Sequence, residues 1–381
     1  MSRQGGPGLA SDIADWLALA AAPGLGPRTI GRLIAHFGDP GAARRAPAQA
    51  LRELGLKPDA ISALSSPDQA GIDRAMAWAE QPQASILTRS DPRYPPLLGE
   101  IPDAPPVLFV RGDPLLLAEP QIAIVGSRNP TPQGEQVTRE LASRLAGWGL
   151  VVTSGLAAGV DGAAHQGALE AGRTIAVLGT GPDQVYPGSH RDLARRIAAT
   201  GALVSEYPPG EGPRARNFPR RNRLISGLSL GTLVTEAALQ SGSLITARHA
   251  LEQGREVFAV PGSVRNPLAR GCHALIREGA RLVEDAEQVL AELAPLLRGL
   301  VAAPPAAGPE ATATLPTPEA GSRLDADYQR LLAAMGFDAI ALDELVHTTG
   351  LPVQDLSSML LVLELEGHVS SAPGGRYCRN R

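Results

Sequence analysis

The stretch Ile122-Ala-Ile-Val125-Gly126-Ser127-Arg128 decides the fold of this 381-residue chain. Four apolar residues run into a glycine turn, and a helix is predicted to begin near Thr131–Gln133. A buried strand, a tight turn and a helix N-terminus form a corner in which backbone amides and the helix dipole favour a bound anion. Arg128 adds a mobile positive charge. The sequence therefore predicts an anion-binding corner that includes Gly126, Ser127 and Arg128.

Similar apolar runs recur along the chain, with an amphipathic helical stretch between most of them. Continuous apolar strands that alternate with helices are typical of an α/β fold, in which a parallel sheet is covered on both faces. The sequence predicts six such strands, at Ile122–Val125, Val151–Ser154, Thr174–Leu178, Leu203–Ser205, Leu233–Thr235 and Val257–Val260.

Two further strands end in glycine-rich corners. Ser154-Gly155-Leu-Ala-Ala-Gly159 follows the second strand, and Gly179-Thr-Gly181 follows the third. Because the carboxyl ends of parallel strands share one edge, Ser154 and Gly155 are predicted to lie beside Gly126. The alternative is that these glycines serve only to make tight strand–helix turns.

The segment Arg214–Arg223 has the most unusual composition. Five of its ten residues are arginine, and no acidic residue lies between Glu211 and Glu236. Arginine binds phosphate through paired N–H donors, and one aromatic ring among arginines can stack on a base. We expect a basic loop that binds nucleic acid in the same groove as Arg128. The candidate residues are Arg214, Arg216, Phe218, Arg220, Arg221, Asn222 and Arg223.

Two alternatives to this interpretation remain open. The segment can be a solvated loop, or its arginines can pair with carboxylates, Arg221 or Arg223 with a buried Glu236 for example. If the loop binds nucleic acid, we expect the side chains of Arg128, Phe218 and Arg221 to lie outside the core.

The composition excludes several classes of protein. Lys57 is the only lysine, so no Walker A motif is present, and the turn after Val125 lacks the glycine spacing of a dinucleotide site. The net charge of -4 requires any nucleic-acid footprint to be a local patch. Aromatic residues make up 3%, too few for an extended stacking platform.

The cysteines and the hydropathy pattern bear on the compartment. Cys272 and Cys378 make neither a disulfide framework nor a zinc site, which favours a reduced, cytoplasmic setting. We expect no metal, no cofactor and no membrane span, since no run of about 18 apolar residues occurs.

Four residues are candidates for acid–base catalysis: Asp161, His165, Asp183 and Glu236. Asp161 and His165 are spaced i, i+4 and can share a helix face. No nucleophile–base pattern accompanies them. We therefore favour structural roles, with Asp161 capping a helix and His165 beneath the glycine corner, and we predict no catalytic residue.

The regions that flank the sheet differ from it in pattern. Residues 1–85 predict short helices, two of them around Pro23-Gly-Leu-Gly-Pro27, with Ile30, Leu33, Ile34 and Phe37 on one face. This helix-hairpin-helix pattern either binds a DNA phosphate or merely makes a tight turn in a bundle. We favour the second, because basic and acidic residues balance there. The predicted domains are 1–85, 86–300, a Pro- and Ala-rich linker at 301–322, and 323–381.

Residues 323–381 predict a winged helix: three helices, then strands Val369–Ala372 and Arg376–Cys378 around a Gly374-Gly375 turn. The helices carry, in order, Leu331, Leu332 and Met335, then Leu342, Leu345 and Val346, then Leu356, Met359, Leu360 and Leu363. The third helix contains acidic and no basic residues. This favours a protein contact or a structural role over duplex DNA binding.

The motifs of the sheet region resemble those of the DNA-processing protein A family of bacteria, also called DprA or Smf. They fall in order as Val125-Gly-Ser-Arg128, Ser154-Gly-Leu-Ala-Ala-Gly-Val-Asp161, His165-Gln-Gly-Ala-Leu169, Val177-Leu-Gly-Thr-Gly181, Tyr186-Pro187, Phe218-Pro-Arg-Arg-Asn-Arg-Leu-Ile-Ser-Gly-Leu228, Ser241-Gly-Ser-Leu-Ile-Thr-Ala247 and Val257-Phe-Ala-Val-Pro-Gly262. The resemblance covers about residues 86–290, and the flanking regions resemble the long family members.

The resemblance implies an extended Rossmann-like domain between a small SAM-like or helix-hairpin-helix domain and a winged helix. It implies binding and protection of single-stranded DNA during natural transformation (competence) and loading of a RecA-type recombinase. It also implies a homodimer through the Rossmann-like domains, for which the apolar segment Leu282–Leu300, expected to form an exposed-edge helix, gives weak support. The sequence departs from the family at His190 and His273, where asparagine is usual.

Two other functions remain open at this stage. The stretch Gly231–Glu236 has a faint similarity to nucleoside-monophosphate phosphoribohydrolases, which would make the protein an enzyme. A transcription factor that reads duplex DNA through its winged helix is the third possibility.

Overall fold

The computed structural model describes residues 7–302 and, further on, residues 331, 335, 340–341, 345, 348–349, 356, 359–360, 363, 369–372 and 376–379. The chain divides into two compact units, Met1–Pro304 and Pro305–Arg381. The four-domain division remains a prediction, and most of the linker at 301–322 lies outside the described residues.

The first part of the chain is helical, as predicted. Gly24 has φ of +77°, which favours glycine, and so permits the tight turn between the first two helices. The second helix buries Ile30 and Leu33, two members of the predicted apolar face. The helices are α1 (Pro7–Ala21), α2 (Pro27–Phe37), α3 (Pro40–Arg45), α4 (Ala48–Glu53), α5 (Pro58–Ser65) and α6 (Gln69–Ala79).

A nine-stranded sheet forms the centre of the first unit. Its strands are β1 (Ala84–Thr88), β2 (Val107–Gly112), β3 (Gln121–Val125), β4 (Val151–Ser154), β5 (Thr174–Val177), β6 (Ala202–Ser205), β7 (Gly231–Val234), β8 (Glu256–Ala259) and β9 (Arg281–Leu282). The strand order is β1-β2-β6-β5-β4-β3-β7-β8-β9. Strands β3 to β9 are mutually parallel, and all six predicted strands are confirmed within a few residues.

The sequence missed β1 and β2, which pair antiparallel with each other and extend the sheet beyond β6. Their inner face joins the helical part: Ile86 and Phe109 pack in one core with Trp16 and other residues of the first six helices. Burial of this shared apolar surface holds the helices against the sheet edge.

Helices cover both faces of the sheet, as predicted. Ile122, Ile124 and Phe258 pack under one helical layer, whereas Ala123 and Val125 pack under the other. The alternation follows from the two-residue period of a strand. The helices are α7 (Pro96–Gly99), α8 (Pro132–Gly147), α9 (Val160–Ala171), α10 (Arg191–Thr200), α11 (Asn217–Gly227), α12 (Ser243–Glu252), α13 (Arg270–Arg277) and α14 (Ala286–Ala302).

The helix expected at Leu282–Leu300 is confirmed from Ala286 onward, whereas its expected exposure is wrong for the apolar residues that pack in the core. Leu282 ends β9, and α14 begins only at Ala286. Val289 and Leu293 are completely buried in the core that α14 shares with α8 and the sheet. They are buried because α14 is amphipathic and places its apolar stripe on that core.

The C-terminal unit has its own small core. Leu331, Met335, Leu345, Leu356, Met359, Leu360, Leu363 and Val369 pack together. The predicted wing is confirmed as β11 (Val369–Ala372) paired antiparallel with β12 (Arg376–Arg379). A short strand that the sequence missed, β10 (Ile340–Ala341), pairs with β12. The predicted Leu332, Leu342, Val346, Gly374 and Gly375 lie outside the described residues.

Candidate nucleic-acid interface

A cleft of about 870 Å³ opens at the carboxyl edge of the sheet, above β3 and β7. The chain runs from β3 to one side as β4, β5 and β6, and to the other side as β7, β8 and β9. Ligands of open α/β sheets bind at this kind of switch point, because the loops on the two sides diverge there. The Ser127 amide donates to the Glu236 carbonyl at 2.7 Å, which joins the loops after β3 and β7.

The structure brings many of the predicted site residues to this cleft. Gly126, Ser127 and Arg128 line one wall, while Phe218, Arg221 and Asn222 of α11 line another. Ser154 and Gly155, also predicted to bind nucleic acid, are buried and do not line the cleft. The expectation that Arg128 and the arginine segment share one groove is therefore met in part.

Arg221 is a core residue, contrary to the sequence-based expectation, with 4% of its surface exposed. Its Nη1 donates to the carbonyl of Gly155 at 2.7 Å and also to that of Val177. Burial lowers the pKa of Arg221 to about 10, so the guanidinium stays protonated at neutral pH. It fixes the glycine corner after β4 to the end of β5.

Asp161 completes this arrangement from the first turn of α9. Its Oδ2 accepts the amides of Gly155 at 3.1 Å and Ala157 at 3.2 Å. The expected helix cap is wrong, because these amides belong to the loop before α9 and Asp161 itself lies inside the helix. Burial raises the pKa of Asp161, against the opposing effects of the Arg221 charge and these amides. A Cβ on Gly155 would lie 2.5 Å from the Arg221 guanidinium, so any side chain at this position would displace Arg221 or Asp161.

Arg223 is also a core residue, with 7% exposed, and it does not line the cleft. Its Nη1 and Nη2 donate to both oxygens of Glu206 at 2.8 and 2.7 Å, and its Nε donates to Asp103 at 3.1 Å. The carboxylate alternative therefore holds for Arg223, although its partners are Glu206 and Asp103 rather than Glu236.

The arginine segment is not a loop, because α11 begins at Asn217. The helix turns Arg221 and Arg223 inward and leaves Arg220 exposed. Arg214 and Arg216 precede the helix and are exposed, and Arg214 pairs with Glu211 at 2.8 Å. Arg128 is exposed, and no carboxylate in the part of the chain that the structure describes pairs with it.

An aromatic pair stands at the mouth of the cleft. The rings of Tyr186 and Phe218 lie 5.4 Å apart, and Tyr186 is half exposed. Both line the cleft with Arg128. Tyr186 was not among the residues predicted for the site, because its only signal in the sequence is its place beside Pro187.

The four candidate acid–base groups serve the structure. The Glu236 carboxylate accepts Thr131 N–H and Oγ1 at 2.8 Å and Asn266 Nδ2 at 3.2 Å, which ties three loops together. Asp183 accepts the Gly210 amide. Among the described residues, no group of three His, Cys, Asp or Glu side chains is placed to hold a metal ion.

His165 is fully buried on α9 and contacts the first residue of β5, and its place beneath the glycine corner remains a prediction. Its Nδ1 lies 2.7 Å from the Thr174 hydroxyl. That hydroxyl donates to the Val152 carbonyl, so Nδ1 carries the proton. Burial lowers the pKa of His165 to about 3, and the ring is neutral at physiological pH.

The two histidines that depart from the family pattern contact loop carbonyls. His190 Nδ1 lies 3.0 Å from the carbonyl of Leu156, and His273 Nε2 lies 3.1 Å from that of Gly262. Both ring nitrogens therefore support turns at the carboxyl edge.

Fold and cleft together define a Rossmann-like α/β protein with a basic and aromatic cleft at the switch point of its sheet. The model of the family described as DNA recombination-mediator protein A matches residues 85–294, and the DprA winged helix domain matches residues 302–375. The chain therefore belongs to the DNA recombination-mediator protein A family, whose curated members are named DprA and Smf.

Relatives with known names cover much of the chain. It is 43% identical to Protein Smf of Escherichia coli (strain K12) over 336 residues, 87% of each chain. It is 49% identical to DNA processing protein DprA of Streptococcus pneumoniae over 212 residues, 55% of this chain and 74% of that one. The family has a role in DNA processing and recombination.

Two solved structures are similar to the fold. DNA processing protein A from Streptococcus pneumoniae matches with a TM-score of 0.66 at 38% identity, over 74% of this chain and 97% of that one. The protein from Helicobacter pylori, described for its single-stranded DNA binding mode, matches with a TM-score of 0.51 at 32% identity, over 56% and 96%. None of the helices that the structure describes is long and apolar enough to span a bilayer.

Proposed function

We propose that the cleft above β3 and β7 binds single-stranded DNA. The observation that carries this proposal is that Arg128, exposed and without a carboxylate partner among the described residues, lines the same cleft as the Tyr186–Phe218 pair. A cation beside stacking surfaces suits a strand whose bases are unpaired, since duplex DNA keeps its base faces stacked on each other. The Helicobacter pylori relative, described for this kind of binding, supports the same conclusion.

Within the proposed site, the residues divide by what they contact. Arg128 faces the phosphates from the corner at Gly126 and Ser127, where the Ser127 amide is held by the Glu236 carbonyl and the arginine supplies the charge. Phe218 and Tyr186 face the bases. Arg221 acts as a positioning residue, because its hydrogen bonds hold the corner after β4 and leave its guanidinium inside the protein. Arg223 positions α11 through its two carboxylate partners.

The biological role we propose is that of a cytoplasmic recombination mediator. The protein protects incoming single strands during natural transformation and passes them to a RecA-type recombinase. The family description supports the mediator role. It acts by binding rather than by catalysis. A homodimer through the Rossmann-like domains would link two clefts and raise the apparent affinity for one strand by effective concentration.

The test is a binding comparison with the full chain. A labelled single strand should bind without strong sequence preference, and unlabelled single strand should displace it far better than duplex of the same length. A chain that ends at Pro304, the limit of the first compact unit, should keep the affinity within a few-fold. Equal competition by duplex, or a hundred-fold loss on removal of the C-terminal unit, would place the main binding site elsewhere.

A further inference from the structure

A second cleft, of about 630 Å³, lies next to the first one, and the residues of the proposed site do not account for it. Its walls come from the α1–α2 hairpin, the segment before β2, the loop after β6, and helices α11 and α12. Pro219 and Ile245 line both clefts, so the two are neighbours across a single ridge at the start of α11.

The charges of the second cleft balance, and the one that is exposed without an ion pair in the described part of the chain is positive. Asp103 and Glu206 line it and would repel phosphate, but Arg223 pairs with both of them. This leaves Arg220 as an exposed cation on the ridge side, with no ion pair among the described residues. The wall therefore carries two carboxylates and two arginines and is neutral as a whole, but Arg223 occupies both carboxylates and Arg220 is the exposed cation left for a phosphate.

The remaining lining offers flat surfaces rather than further charges. Tyr207 is partly exposed, and its hydroxyl lies 3.3 Å from the carbonyl of Asn217, which holds the ring against α11. Leu25 and Pro27 of the hairpin stand among the lining residues, together with His249 of α12. Aromatic and apolar faces accept any base, because every base has a π face.

We propose that a single strand leaving the first cleft crosses the Pro219 ridge, places a phosphate on Arg220 and continues into the second cleft. The proposal rests on the proposed function and extends it, because the helical part of the chain then becomes one wall of the DNA path. Short strands fill the first cleft alone. Longer strands gain the contacts of the second.

Ala20 gives a clean test of this path. It lines the second cleft, is exposed near the end of α1, and lies outside the first cleft. Ala20→Glu adds a repulsive charge to the wall and Ala20→Arg an attractive one. Ala199→Glu is the matched control, because Ala199 is exposed near the end of α10, which leads into the amino end of β6.

The measurement is the affinity of each full-length variant for oligothymidylates of about 4 and about 12 nucleotides, a span that covers common single-strand site sizes. For the longer strand, Ala20→Glu should weaken binding about threefold to tenfold and Ala20→Arg should strengthen it by a similar factor. The shorter strand should bind all variants equally, and Ala199→Glu should match the wild type. Thermal unfolding verifies that each variant is folded.

Arg128→Ala in the same assay separates the two proposals. If Arg128→Ala weakens both strand lengths while the Ala20 variants behave as wild type, the second cleft is not part of the DNA path and this inference is overturned. If Arg128→Ala changes neither length, the first cleft is not the DNA site and the proposed function itself fails.

Discussion

The exposed and the buried arginines of the segment Arg214–Arg223 adjoin in sequence but differ in their surroundings. Arg216 and Arg220 face solvent, whereas Arg221 and Arg223 are enclosed by carbonyls and carboxylates. The difference arises where α11 begins, because the helix turns one side of the segment toward the sheet. Charge density in a sequence therefore does not show which cations are available to a ligand.

The largest effect should come from Arg221→Ala. Its removal leaves the carbonyls of Gly155 and Val177 without their donor and Asp161 without its nearby cation. Breaking a buried charged arrangement from one side costs about 3–5 kcal/mol. Denaturant unfolding should show this loss for Arg221→Ala, whereas Arg220→Ala should stay within about 0.5 kcal/mol of the wild type. Equal stability of the two variants would remove the distinction between buried and exposed arginines.

Arg223 should show strong energetic coupling to Glu206. In a double-mutant cycle with Arg223→Ala and Glu206→Gln, the unfolding free energies should give a coupling of about 1–3 kcal/mol. The same cycle between Arg214, an exposed residue, and the partly exposed Glu211 should give less than about 1 kcal/mol. Comparable values for the two pairs would contradict the assignment of Arg223 to the core.

Phe218 should affect binding in a way that no arginine does. Phe218→Ala should weaken single-strand binding by about 1–3 kcal/mol and leave the salt dependence unchanged, because stacking releases no counterions. Phe218→Tyr keeps the ring and should bind nearly as well as the wild type. A change of salt slope in Phe218→Ala would show that the ring only supports a phosphate contact.

His165 should make stability depend on pH. Its pKa is lowered to about 3 in the folded protein, against an unfolded value of about 6.5. Between these two pKa values the unfolded chain binds a proton on His165 that the folded chain does not. The contribution of His165 to the free energy of unfolding is therefore complete above pH 6.5, and it falls as the pH falls, by up to about 1.4 kcal/mol per pH unit. From pH 7 to pH 5, the free energy of unfolding should decline less steeply for His165→Gln than for the wild type. Parallel curves for the two proteins would contradict the buried neutral ring.

Much of the fold was predictable because buried parallel strands are continuous apolar runs. Strands β1 and β2 were not, because they lie on either side of the Pro-rich stretch from Tyr94 to Pro106, and their antiparallel pairing depends on contacts with the helical part. Strand β10 is two residues long, too short for any periodicity.

The candidate site was predictable where glycine turns and a strand end coincide, as at Gly126–Arg128. The roles of Arg221 and Arg223 were not, since they depend on the starting residue of α11 and on partners far away in sequence, such as Asp103. Tyr186 was missed for a similar reason: only the folded chain brings it next to Phe218.

The most direct test of the DNA-binding cleft is the salt dependence of single-strand affinity for Arg128→Ala and for Arg298→Ala. Arg298 is an exposed arginine near the end of α14, which runs away from the carboxyl end of β9. Single-strand affinity falls as salt rises, so the slope of log K against log salt is negative. If Arg128 neutralises a phosphate, Arg128→Ala should make this slope shallower by about 0.7 and weaken binding at low salt. Arg298→Ala should keep the wild-type slope and affinity. A wild-type slope and affinity in Arg128→Ala would contradict the claim that this cleft holds the DNA strand.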